Sequence, residues 1–160
     1  MNSLFTRSQQ SFANFLESHE LRFDNIVFSD ILDFFSVIWR RLKEFLESTF
    51  KRLGAFKVHS VLNCSMRKEK SDQRLENAYF SSNMELLVHT DFINSTIVNL
   101  TNEMFRRAES FVLNGSDWIV ERVKVFYLNI ARFHFIRGRA YIKLPPIIYK
   151  KHACINVKDA

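Results

Sequence analysis

Between residues 29 and 54 the apolar positions return every three or four residues: Ile31, Phe35, Ile38, Leu42, Phe45 and Leu46. That spacing stacks them on one face of an α-helix. Ser29 or Asp30 is suited to cap its N-terminus, and Gly54 to stop it. Asp30 and Asp33 lie at the positive end of the helix dipole, Lys51 and Arg52 at the negative end. Phe34, Val37 and Trp39 widen the apolar face. A helix over about 30–52 is therefore predicted to be buried on more than one side, or to meet a protein partner with its Phe-rich surface.

After Gly54 the period drops to two. Phe56, Val58, Leu62, Cys64 and Met66 alternate with mostly polar neighbours, which predicts a strand. The charged stretch RKEKSDQRLEN reads as a loop or hairpin tip, and AYFSSNMELLVHT as a second strand. Helical spacing returns at Ile93, Ile97, Leu100, Met104, Ala108 and Phe111, predicting a second helix over about 90–113. Thr90 or Asp91 is its expected cap, and Asn114-Gly115 its stop. WIVERVKVFYLNIARF is rich in Val, Ile and aromatics and reads as a third strand, with a first turn of helical character. GRAYIKLPP is extended up to its prolines, and ACINVK reads as a short last strand.

This order predicts an α+β fold: a small antiparallel sheet of about three strands, two long helices packed on one face, and an extended basic C-terminal tail. Residues 29–160 would form that domain. Residues 1–28 are set apart as an N-terminal segment, in which SFANFLESHELRF fits a short amphipathic helix through Phe12, Phe15 and Leu16.

Composition sharpens the picture. The 160 residues include 17 Phe but only three Gly and two Pro, so turns are sparse and elements long. No run is apolar enough for a membrane helix, and MNSLFTRSQQ lacks the apolar stretch of a secretory leader. An intracellular chain with no membrane contact is expected, with Cys64 and Cys154 reduced. The glycosylation-like triplets at Asn63, Asn94, Asn99 and Asn114 are then chance matches.

Charge changes more. The formal net charge is +6. From Trp118 onward there are nine bases (Arg122, Lys124, Arg132, Arg137, Arg139, Lys143, Lys150, Lys151 and Lys158) against only Glu121 and Asp159. Such an excess suits a polyanion, because phosphate contacts release counterions. Tyr127, Phe133, Phe135 and Tyr141 interleave with these bases, a mixture that can stack nucleobases and hold phosphates. Half of those aromatics must face the core if the segment is a strand. DNA or RNA is thus an expected partner of the basic part, with Arg132, Arg137, Arg139, Lys150 and Lys151 as the candidate phosphate-binding residues.

Catalytic chemistry is not evident. There is no Gly-rich phosphate loop, no Cys-x-x-Cys and no Asp-x-Glu pair to seed a two-metal site. His152 and Cys154 are close, but two ligands do not make a zinc site. His19, His59, His89 and His134 are scattered, and His59 falls on the polar side of its strand. Asp117 in GSDW is a lone carboxylate suited to turning the chain. No catalytic residue, metal or cofactor is expected.

The second half of the chain carries a resemblance. NGSDW followed by LNIARFHFIRGRAYIKLPPIIYKKHACINVKD resembles the N-terminal region of Polinton (Maverick)-type mobile-element proteins and related viral insertions, which are themselves similar to protein-primed family B DNA polymerases. Gly115, Ser116 and Trp118 match the turn. Gly138, Tyr141, Ile142, Leu144 and Pro145 match a second block, and Lys151, Ala153, Ile155, Asn156, Val157 and Lys158 a third. Asp117 and Phe135-Ile136 depart from the pattern. The match covers residues 90–158, and more loosely from 54. In the proteins it resembles, the nuclease and polymerase domains follow this region. The resemblance therefore implies a truncated, non-catalytic N-terminal region of a polymerase-like protein, binding nucleic acid non-specifically. A protein-interaction domain and an inert decayed fragment stand beside it as alternatives.

Overall fold

The computed structural model describes residues 5–11, 15–23, 26–68, 71–114 and 117–134. Its centre is a long antiparallel pair, β3 (Phe56–Lys68) and β6 (Trp118–Arg132), joined from Phe56 opposite Arg132 to Lys68 opposite Trp118 with two shifts of register between. On the outer side of β6 lies β2 (Leu16–Arg22), and beyond it β1 (Thr6–Ser11). The other edge of β3 carries β4 (Ser71–Ser81) and β5 (Glu85–Leu87). The two helices are α1 (Ile31–Leu53) and α2 (Ile93–Leu113), the latter entered through a 3-10 turn at Thr90–Phe92.

The sheet therefore has six antiparallel strands, and the expected small sheet of about three strands is overturned. The result is a sheet-rich α+β fold. The added strands are β1 and β2, in the segment set apart at the N-terminus, together with the division of the expected second strand into β4 and β5. Residues around Leu16–Arg22, expected to be helical, alternate instead as strand β2, with Glu17, His19 and Leu21 turned inward. The charged residues after Lys70, expected to be a loop or hairpin tip, form the first half of β4, which lies at the edge of the sheet among the described strands. Edge strands tolerate and even favour charge.

β4 and β5 are one strand interrupted by a bulge. Ser81 faces Val61 and Glu85 faces Val58, so the outer strand holds one residue more than β3 across that step. Ser82 closes the gap. Its N–H donates to the Ser60 carbonyl at 2.9 Å, and its hydroxyl accepts from the Ser60 N–H at 2.9 Å.

Both helices cover the same sheet face. Val58, Leu62, Cys64 and Met66 of β3 and Val123, Phe126, Leu128 and Ile130 of β6 point into it, joining Phe34, Ile38, Leu42 and Leu46 of α1 and Ile97, Leu100 and Met104 of α2. Asp30 caps α1, accepting from the N–H groups of Leu32 (2.6 Å) and Asp33 (3.3 Å). Gly54 ends it with φ 72°, a left-handed conformation that glycine adopts without strain. The expected Thr90 or Asp91 cap of α2 does not form. His89 accepts from the Asp91 N–H through Nδ1 and caps the 3-10 turn instead. The abundance of Phe finds its use here: Phe23, Phe28 and Phe34 meet edge to face at 5.4–5.8 Å, and Phe5 packs on Phe45 at 4.6 Å.

Candidate functional site

The opposite sheet face carries no helix among the described residues. Alternation places on it Ser18 and Arg22 of β2, Tyr127 and Asn129 of β6, His59, Asn63 and Ser65 of β3, and Asn77 and Tyr79 of β4. It is polar, with aromatic and basic side chains spread through it.

Strand β6 shapes this face by two bulges. Asn63 pairs Val125 but Cys64 pairs Val123, which leaves Lys124 as an extra residue. Ser65 pairs Arg122 but Met66 pairs Val120, which leaves Glu121 extra. Strict alternation from Phe126 would drive Lys124 into the core. The bulge turns it out, where Nζ donates to the Asn77 Oδ1 at 3.0 Å, while Val123 drops inward. Bulges commonly re-aim side chains in this way.

Beside the bulges β2 ends and the chain swings along β6, the Phe28 carbonyl accepting from the Val123 N–H at 2.8 Å. A cleft of about 320 Å³ opens there. That volume lies at the lower end of ligand pockets, which run from about 300 to 1,000 Å³. Arg22, Arg122 and Lys124 bring positive charge to it, and Phe23 and Tyr127 bring aromatic surface. Arg22 is held by Glu20 at 3.1 Å, whereas Arg122 and Lys124 form no ion pair among the described residues. Asn63 also lines the cleft. It is only 7% exposed, and its Oδ1 has no hydrogen-bond partner among the described residues. A buried acceptor left so costs about 1–3 kcal/mol.

Two further polar clusters flank this site. On the same face Ser18 donates to the Asn129 Oδ1 at 2.7 Å, and the Asn129 amide meets the His59 Nδ1 at 3.2 Å. His59 is half-buried rather than fully exposed. Burial, and secondarily the Arg107 charge, push its pKa down, so it is a neutral ring locked in a cross-strand chain. On the helix side Glu17 accepts both Arg52 nitrogens at 2.8 and 2.7 Å, pairs Arg7 at 3.1 Å and meets His19 at 3.3 Å. This cluster ties β1 and β2 to the end of α1, and it faces away from the cleft.

Of the residues expected to bind phosphate, only Arg132 is described. It sits exposed at the far end of β6, about 30 Å from Arg122 at the usual 3.3 Å per strand residue. Arg137, Arg139, Lys150 and Lys151 lie outside the described residues, as do Phe135, Tyr141, His152 and Cys154 and the expected strand ACINVK. The basic side chains that do converge, Arg122 and Lys124, were visible in the charge count. Arg22 and Asn63 were not, because the topology alone brings β2 and β3 beside them. Phe133 stacks under Lys57, 5.7 Å from the ring centre, away from this cleft. The Phe-rich face of α1 is turned inward, with Phe34 and Phe35 buried in the core.

Among the described residues no three His, Cys, Asp or Glu side chains are placed to hold a metal ion, and no helix is long and apolar enough to cross a membrane. Burial pushes the Cys64 thiol up to about 12, so it is not a ready nucleophile. No family model matches the chain, and neither does any curated protein or solved structure.

Proposed function

We propose that this domain is a non-catalytic module that binds single-stranded nucleic acid on the sheet face opposite α1 and α2, with little regard to sequence. The observation that carries this reading is the convergence of Arg22, Arg122 and Lys124 on a cleft walled by Phe23 and Tyr127. Cationic side chains that track a phosphate backbone beside aromatic rings on which bases stack are the common means of holding unpaired strands. The resemblance of residues 90–158 to the N-terminal region of polymerase-like mobile-element proteins supports the same partner. In such a protein the module would hold or position the strand for catalytic domains elsewhere.

The test is fluorescence anisotropy with a labelled single-stranded oligonucleotide across a salt series. Two to three phosphates neutralised at the cleft give a slope of log K against log salt of about −1.4 to −2 from these residues, at roughly −0.7 per contact. The double reversal Arg122→Glu/Lys124→Glu flattens the slope by about 1.4. A Lys51→Glu control on α1 leaves it unchanged. No binding at low salt, or a slope that the double reversal does not alter, rejects the proposal.

A further inference from the structure

We infer that the sheet face opposite the helices carries, at the end where β6 finishes, a docking surface for residues 141–149 of this same chain. This does not depend on the nucleic-acid reading above. The surface is built on one cross-strand row. Leu16 pairs Ala131, Ala131 pairs Lys57 and Lys57 pairs Leu86, so β2, β6, β3 and β5 each put one residue on this face. Their chain neighbours Ile130, Phe56 and Leu87 point the other way and are buried. Met84 and Val88 flank Leu86 two residues to either side. Leu16, Leu86, Met84 and Val88 are 40–59% exposed, and so is Phe15 just before β2. A lone exposed apolar residue is ordinary, whereas a group of them at one place on a face marks a contact surface. The next row along the strands is polar by contrast, with Ser18, Asn129 and His59 bonded to one another.

The occupant follows from where β6 delivers the chain. Arg132 donates its N–H to the Phe15 carbonyl at 2.9 Å, and Phe133 donates its N–H to the Ala55 carbonyl at 3.3 Å. The Lys57 ammonium lies 5.7 Å from the centre of the Phe133 ring, and the Phe15 and His134 rings meet edge to face at 6.0 Å. The backbone is thus pinned on both sides up to the border of the row. Tyr141 follows His134 by seven residues, a reach of up to about 23–25 Å. The row from Leu16 to Leu86 crosses three strand spacings, about 14 Å, so the link is long enough. Tyr141, Ile142, Leu144, Ile147, Ile148 and Tyr149 are six large apolar side chains in nine positions, and no other stretch outside the described residues holds as many. Pro145 and Pro146 have no N–H to give to a ladder, so the contact is made by side chains on the face and not by strand pairing at an edge. A link this short gives an effective concentration of about millimolar, which favours the same chain over a second copy.

The experiment is limited trypsin digestion of the full chain, with each cut followed by mass spectrometry. Cleavage after Lys143, inside the segment, should be at least about tenfold slower than in a synthetic peptide of residues 138–152. Leu16→Ser/Leu86→Ser should restore that cleavage by about fivefold or more while leaving the circular dichroism unchanged. The protection should be the same over about a fiftyfold range of protein concentration. Cleavage as fast as in the free peptide, or protection that the double variant leaves intact, overturns the docking surface. Protection that grows with concentration assigns the face to a second copy and overturns the assignment to the same chain. Should the double variant fail to fold, Leu86→benzoylphenylalanine carries the test. On irradiation it should crosslink to residues 141–149 of its own chain. Crosslinks confined to other residues, or formed only between chains in a mixture of isotopically light and heavy protein, overturn the proposal.

Discussion

Replacing Glu17 by Gln should destabilise the domain at neutral pH by about 2–3 kcal/mol, and the loss should vanish in acid. Glu17 is 2% exposed on the helix side of β2, where Arg52 grips its carboxylate with two nitrogens at 2.8 and 2.7 Å. The Arg52 hydrogen bonds, helped by His19 and the charge of Arg7 and opposed by burial, hold the carboxyl down from 4.5 to about 2. At about 1.4 kcal/mol per pKa unit this corresponds to somewhat over 3 kcal/mol. Water screens part of it, because the side chains of Arg7 and Arg52 are 42% and 46% exposed. A carboxylate with a lowered folded pKa stabilises fully above its unfolded pKa, and that stability disappears as pH falls through the folded value. The gap between wild type and Glu17→Gln should therefore be full at pH 7, about half at pH 3 and nearly closed at pH 2. His19, whose pKa burial chiefly lowers, loses the raising effect of the Glu17 hydrogen bond and charge in the variant, so its protonation adds to the gap below neutral pH until Glu17 itself is protonated. Urea denaturation followed by circular dichroism at each pH measures the gap. Equal stability at pH 7, or a gap constant between pH 7 and pH 2, would refute the reasoning.

Two further outcomes test the strand irregularities. Ser82→Ala removes the acceptor of the buried Ser60 N–H and should cost about 1–3 kcal/mol in urea denaturation; a loss below about 0.3 kcal/mol would mean that the bulge is held by its backbone alone. Asp117 has a left-handed φ of 51°, so Asp117→Gly should be neutral or stabilise slightly and Asp117→Val should destabilise by at least about 1 kcal/mol; identical melting temperatures for the two variants would contradict the strained turn.

Much of the fold can be read from period alone, and the parts that cannot share a cause. Both long helices announce themselves because their apolar faces meet one continuous core at Ile38, Leu42, Ile97 and Leu100. β3 announces itself through Phe56, Val58, Leu62, Cys64 and Met66, all buried. β2 does not, because two of its three inward positions are Glu17 and His19, polar residues that only the arginines of β1 and α1 make tolerable there. β4 hides its first half behind charges that an edge strand can carry. β6 begins with apolar residues at Val120, Val123 and Phe126, a spacing of three that mimics a helical turn and is in fact produced by two bulges.

Those bulges also explain why the candidate site was only half legible. A count of charges sees Arg122, Lys124 and Arg132 as one basic run, yet the strand spreads them along its length, with Arg122 and Lys124 at the cleft and Arg132 at the far end. Charge density in sequence becomes a patch only where register brings neighbours from other strands. Here β2 contributes Arg22 and β3 contributes Asn63, which no local pattern distinguishes from any other polar residue on the outward side of a strand. The site thus depends on the pairing of β2 with β6, and that pairing is anchored across the sheet by Glu17 and Arg52. Loosening that anchor should weaken nucleic-acid binding although Glu17 itself lies on the other side of the sheet from the cleft. Glu17→Gln, still folded at pH 7, should bind a single-stranded oligonucleotide less tightly at low salt, because a displaced Arg22 alters phosphate contact at the cleft; unchanged affinity would refute this.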